Sequence, residues 1–288
     1  MSTITKVGSM FQATINGKIV KRSKLKHLEY VLRKAGVSEP TVKQEPIKSK
    51  FSINERFEFV ENLVKMVANE TQVSAVITGK GGLGKSHTVT KTLEACGYEN
   101  ISHKEEFTVI PGKKAFRVSK GFATARGLYK MMYENNNAVL VLDDTDSILK
   151  NADALNLLKA GLDSYSKRFI TWMSDSRDED IPKCFEYTGR IIFISNMNRD
   201  NIDQAIRTRS MMIDLSMTND EVVDRMQYIS NQKEFMPEMP QVYKSDAIQF
   251  LREVKDQVKD LSLRTLISVI KIRSSNKEWK KMAEYILE

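Results

Sequence analysis

Cysteine is nearly absent from this sequence: there are two in 288 residues, Cys96 and Cys184, far apart and without metal-ligand spacing. Three histidines are scattered along the chain. This scarcity excludes a disulfide framework and a cysteine–histidine metal centre, and it predicts a reduced, intracellular protein. Long apolar runs are missing too. No stretch reaches 18 apolar residues, and the first residues lack the apolar core of a signal peptide, so the expectation is a soluble, cytoplasmic chain with no membrane partner.

Excess charge is missing from most of the chain and concentrated in one part of it. The net charge is +8; residues 1–50 hold 11 Lys/Arg against 3 Asp/Glu, while the other 238 residues hold 34 of each. A clustered basic segment is either the footprint of a polyanion partner, DNA or RNA, or a solvated arm. Within it, Asn16-Gly17 between alternating apolar flanks predicts a hairpin. Leu25, Leu28, Val31 and Leu32 predict a helix over 23–35 with Lys24, Lys26, Arg33 and Lys34 on its other face. Residues 38–50, with two prolines, read as a linker.

Glycine is concentrated at one place. The run Val73-Ser-Ala-Val-Ile-Thr78 leads into Gly79-Lys80-Gly81-Gly82-Leu83-Gly84-Lys85-Ser86-His87, a strand, a glycine-rich loop and a helix start. Gly79, four residues, then Gly84-Lys85-Ser86 is the spacing of a phosphate-binding loop. Glycines let successive backbone N–H groups turn inward toward phosphate oxygens, and the helix that follows adds its positive end. Residues 79–87 are therefore the candidate ATP site, with Lys85 reaching the outer phosphates and the Ser86 hydroxyl taking one position on Mg²⁺. Upstream, Ser52 and Glu55 form a capping-box pattern ahead of an apolar helical face.

A second strand is expected at Phe116–Ser119, followed by a loop holding Phe122 and by a helix that Asn135-Asn-Asn137 ends. The apolar run 138–142 closes on Asp143-Asp144, which places carboxylates at the C-terminal end of a strand buried on both faces. There Asp143 is a second candidate for Mg²⁺, holding the ion directly or through water. A helix over 152–164 and a strand or hairpin over 167–189 follow. The next strand, Arg190–Ser195, ends on Asn196, whose amide either orients an attacking water or simply turns the chain. After Arg207, Arg209 and a short run at 211–215, the pattern becomes helical: 222–229, 247–258, 262–272 and a last helix carrying Trp279 and Ile286.

In this order the landmarks resemble the AAA+ ATPase family over roughly residues 52–275. The resemblance implies an α/β fold: a P-loop NTPase parallel sheet flanked by helices, with a C-terminal all-helical lid behind a small basic N-terminal segment. The expected divisions are 1–50, 51–216 and 217–288. It further implies that Asp144 stands at the general base, Asn196 at the sensor 1 position, Arg209 or Arg207 at the arginine finger, and Arg264 over the γ-phosphate. The family's base is a glutamate, so Asp144, one methylene shorter, implies either a compensating site or slow hydrolysis. An arginine acting on a neighbour's nucleotide implies a ring or spiral of copies, commonly six. The leading expectation is an ATP-hydrolysing motor or remodeller acting on nucleic acid, as a helicase, helicase loader or replication accessory (from the basic segment and the hairpin at 167–189); the alternatives are a protein remodeller (from Phe122) and a slow nucleotide switch (from Asp144). The narrower texture of 121–210 is similar to small AAA+ proteins of tailed bacteriophages.

Overall fold

In the computed structural model, residues 3–7, 10–15, 18–34, 41–43, 49–104, 112–121, 124–163, 165–173, 181–275 and 277–287 are described. The chain divides into two compact units, Met1–Lys50 and Phe51–Glu288.

The first unit contains β1 (Thr3–Val7), β2 (Met10–Ile15), β3 (Lys18–Arg22), α1 (Leu25–Lys34) and β4 (Thr41–Lys43), with its strands in the order β3-β2-β1-β4. Strands β2 and β3 run antiparallel with Ile15 opposite Lys18, the register of a two-residue connection; Asn16 and Gly17 themselves lie outside the described residues. Leu28 and Leu32 of α1 are buried with Ala13, and Phe11 and Val20 pack around them. The linker expected over 38–50 is corrected in part: Thr41–Lys43 pairs in parallel with β1. A three-residue strand among prolines has no periodicity of its own, and the neighbouring edge supplies what local sequence does not.

The second unit begins with α2 (Ile53–Ala68). Its capping box forms: the Ser52 hydroxyl accepts from the Glu55 amide, and the Glu55 carboxylate accepts from the Ser52 amide at 2.7 Å. Then come β5 (Ser74–Thr78), α3 (Lys85–Ala95), β6 (Glu99–Asn100), β7 (Ala115–Lys120), α4 (Ala125–Glu134), β8 (Val139–Asp143), α5 (Asp146–Lys150) and α6 (Ala152–Gly161). A small antiparallel pair, β9 (Phe169–Thr171) and β10 (Cys184–Glu186), precedes β11 (Arg190–Ser195), α7 (Gln204–Arg209) and β12 (Met211–Asp214). Strands of the main sheet lie in the order β12-β5-β11-β8-β7-β6, and each described pair is parallel.

Period-two alternation decides which face each strand residue covers. Ala75, Ile77, Val139, Val141, Ile192 and Ile194 pack with the apolar faces of α2 and α3. Val76, Leu140, Leu142, Ile191 and Phe193 pack with α4 and α6 on the opposite side. Burial on both faces explains why these strands read as unbroken apolar runs. The helix expected over 152–164 is shorter, ending at Gly161 and preceded by α5; Ser164 lies outside the described residues. The hairpin expected over 167–189 is present as β9 and β10, with Phe185 edge-on to Tyr129 and Tyr133; residues 174–180 lie outside the described residues.

Beyond β12 the chain is helical: α8 (Asn219–Ser230), α9 (Gln241–Val254), α10 (Leu263–Ser275) and α11 (Trp279–Leu287). The helix expected over 247–258 starts earlier, directly after Pro240, and ends at Val254. Proline pre-sets the first turn, a signal that an apolar-spacing argument overlooks. These helices enclose a core around Val223, Met226, Phe250, Leu251, Leu266 and Val269, and Leu83 of the glycine loop is buried within it. Helix α8 is also clasped to α2. Arg56 donates to the Ser216 carbonyl at 2.7 Å and pairs with Glu221. In the other direction Arg225 donates to Asn54 Oδ1 at 3.0 Å and stacks 3.6 Å over the Phe57 ring.

Candidate functional site

Between β5 and α3 the backbone takes conformations open mainly to glycine: φ is +136° at Gly79, +74° at Gly82 and +94° at Gly84. A Cβ on Gly79 would also meet the Leu215 backbone at 2.9 Å. The loop is anchored on both sides. The Leu215 amide donates to the Thr78 carbonyl at 2.8 Å, and the Leu263 amide donates to the Gly82 carbonyl at 2.9 Å. Gly84 caps α3 with no side-chain bond, which leaves first-turn amides directed into the loop.

Lys85 is 5% exposed. Its ammonium donates to the Gly79 carbonyl at 2.6 Å, the Lys80 carbonyl at 2.8 Å and Asn196 Oδ1 at 3.0 Å, which uses all three protons. Burial lowers its pKa, and Asp144, Asp143 and Asp146 oppose that shift. Asn196 sits where β11 ends, one strand over from Lys85 and one from Asp144, because β11 lies between β5 and β8. Its Nδ2 donates to Asp144 Oδ1 at 2.6 Å, so a single amide links the ammonium to the carboxylate. Asp144 is exposed, with φ +54°, and its amide donates to the Ile194 carbonyl at 3.1 Å. Asp143 ends the fully buried β8 and is itself 2% exposed; Lys120 Nζ lies 3.0 Å from its Oδ2. Behind them the Ser195 hydroxyl donates to Asp146 Oδ1 at 2.6 Å and fixes the turn into α5.

These groups border a cleft of about 270 Å³ between the sheet's C-terminal ends and α10. Of the residues expected from sequence, Gly81, Gly82, Gly84, Lys85, Ser86, His87, Asp143, Asp144, Asn196 and Arg264 line it. Gly79 and Lys80 turn their carbonyls onto Lys85 instead, and the Leu83 side chain is buried in the helical core. The two arginines are elsewhere. Arg207 is exposed, with Asp200 at 3.9 Å, and Arg209 is half-buried, donating to the Ala205 carbonyl at 3.3 Å. Phe122 lies outside the described residues. Lys120, Leu263 and Ile267 join the lining unforeseen. Lys120 is visible only once β7 is known to neighbour β8, a pairing that its own sequence does not state.

Residues 75–217 match the family model described as ATPase family associated with various cellular activities (AAA). A protein of Enterobacteria phage T4, described as an uncharacterized 36.7 kDa protein in the nrdC-mobD intergenic region, is 28% identical over 276 residues, covering 87% of this chain and 80% of that protein. Among solved structures, Caenorhabditis elegans PCH-2 aligns with a TM-score of 0.46 at 12% identity, over 82% of this chain and 68% of that one. Drosophila ORC bound to DNA aligns with a TM-score of 0.45 at 13% identity, over 92% of this chain and 75% of that one.

Two glycines separate backbone strain from collision. Gly97 also has positive φ, +83°, but a Cβ there meets nothing within 4 Å. Gly97→Ala is expected to cost about 1 kcal/mol. Gly79→Ala, strained and colliding with backbone, is expected to cost about 3 kcal/mol or more. Urea-unfolding midpoints of the two variants, compared with the parent, check the difference.

Proposed function

Since the chain belongs to the AAA family of ATPases, we propose that it binds ATP with Mg²⁺ in the cleft beside Lys85 and hydrolyses it within a ring or spiral of copies. The observation that carries this reading is the Lys85–Asn196–Asp144 chain of hydrogen bonds. It gathers a phosphate-seeking cation from the start of α3, a water-orienting amide from the end of β11 and a proton acceptor from the end of β8. Backbone amides of Gly81, Gly82 and Gly84 and the ammonium of Lys85 suit a triphosphate, and Arg264 on α10 faces the same cleft. The Ser86 hydroxyl and the Asp143 carboxylate suit Mg²⁺, which prefers oxygen donors, retains several waters and takes few protein ligands. When bound, that ion neutralises charge on the phosphate oxygens.

The residues then divide the work. Asn196 holds a water and Asp144 takes its proton. The hydrogen bond between them fixes the carboxylate's direction before any substrate arrives. The aspartate is one methylene shorter than the family's glutamate, so either the site compensates or hydrolysis is slow, a displacement of ~1 Å being able to cost about 100-fold. A slow, switch-like ATPase is the alternative to the leading reading, a motor or remodeller. Arg207 and Arg209, outside the cleft, are assigned to a neighbouring copy's nucleotide, with Arg209 the better match. Residues 51–216 are assigned to the nucleotide-binding domain and 217–288 to its lid.

For the macromolecular substrate, the charge of residues 1–50 supports nucleic acid. The T4 relative supports a phage origin and work in the host cytoplasm. Remodelling of a protein substrate would rest on Phe122. ATP turnover measured with single-stranded DNA, duplex DNA, RNA and an unfolded protein discriminates these readings. Stimulation by a nucleic acid, diminishing as salt is raised, is expected; stimulation by unfolded protein alone would overturn the nucleic-acid reading.

The arginines separate a ring from a self-contained enzyme. Arg209→Ala is expected to bind ATP nearly as the parent does but to turn it over about 10³-fold more slowly. Lys85→Ala is expected to lose tight binding. Mixed together, the two inactive variants should regain turnover, because some interfaces then pair an intact loop with an intact arginine. Co-assembled mixtures that stay inactive would mean that Arg209 acts within its own copy or not at all.

A further inference from the structure

Lys120 has no part in the reading above, yet it holds the most buried carboxylate of the cleft. Strand register sets Lys120 directly beside Asp143 at the C-terminal ends of β7 and β8. The two side chains differ sharply in environment: Asp143 is 3% exposed and Lys120 is 66% exposed, with Nζ 3.0 Å from Oδ2. A buried carboxylate requires a charge partner. Here that partner arrives on a long stem lying mostly in solvent, beside Gly121 with φ +90°, so departure of the ammonium disturbs no packing.

Resting on the assignment of Asp143 to Mg²⁺, we propose that Lys120 is a displaceable counter-ion occupying the carboxylate that the metal takes when nucleotide binds. An ammonium and a divalent cation cannot share one carboxylate oxygen without strong mutual repulsion. A metal that takes Oδ2 therefore displaces the lysine, whose side chain is the exposed member of the pair. Two consequences follow. Without metal, Lys120 masks the charge of Asp143, and the triphosphate enters a cleft that otherwise presents the carboxylates of Asp143 and Asp144. With metal, Lys120 is a competitor that lowers the ion's hold. The lysine thus narrows the gap between metal-free and metal-loaded nucleotide affinity.

The test is equilibrium titration of the full chain with a fluorescent ATP analogue, in excess Mg²⁺ and in EDTA, for the parent, Lys120→Met and Lys120→Arg. Lys120→Met is expected to bind about tenfold more weakly in EDTA and as well or better in Mg²⁺. The ratio of the two dissociation constants therefore rises about tenfold or more, the worth of one charge interaction of about 1.4 kcal/mol. Lys120→Arg, which keeps the charge, is expected to stay near the parent ratio. An equal loss in both buffers would make Lys120 an ordinary phosphate contact, and no change in either would make it a bystander; both overturn the proposal. Circular dichroism melting checks that the variants are folded; Lys120→Met leaves Asp143 without its partner, and Lys120→Arg, which keeps the charge, controls for that loss. If the parent binds in neither buffer, the reading of the cleft itself fails and this proposal falls with it. A parent that binds and an unchanged ratio in Lys120→Met reject the counter-ion alone.

Discussion

A buried ammonium must be met by acceptors on every proton, and much of the geometry around the cleft follows from meeting that requirement at Lys85. Two acceptors are carbonyls of its own loop, available because the glycines let the backbone curl back. The third is Asn196, which arrives from a strand more than a hundred residues away only because β11 is inserted between β5 and β8. Strand order, loop conformation and the buried charge are therefore one arrangement. A sheet with β8 beside β5 would leave the lysine short of a partner and the Asp144 carboxylate without its donor.

Burial on both sheet faces made much of this legible in the sequence. Strands β5, β8 and β11 are continuous apolar runs that end on polar groups, and both the runs and their ends are local features. The glycine loop was equally visible, since its constraint is on spacing rather than on distant contacts. What escaped was decided by neighbours. The strand β4 exists because β1 offers an edge, and Lys120 matters through the strand beside it. Leu83 showed the same limit from the other direction. Its place in the loop suggested a ligand contact, whereas its side chain is a core residue of the C-terminal helices.

That placement of Leu83 ties the loop to the helices by packing as well as by the Leu263–Gly82 hydrogen bond. The Ser262–Leu263 turn also lies against the glycines, with Ser262 Cβ 3.1 Å from where a Cβ on Gly82 would stand. Helix α10 therefore begins at the loop itself and carries Arg264 from that point. The position of the arginine is set by the loop's conformation, not by a long chain of intermediates.

The paired arginines between α2 and α8 bear on mechanics. Arg56 reaches from α2 to the start of α8, and Arg225 reaches back from α8 to α2, each with its charge largely withdrawn from water. Prising such a pair apart strands a guanidinium, at a penalty of about 3–5 kcal/mol for a buried partner lost. Helix α8 also contributes Val222, Val223 and Met226 to the C-terminal core, so it is bonded into both layers at once. Turning the C-terminal helices at the joint just after β12 therefore means separating both arginine contacts at once.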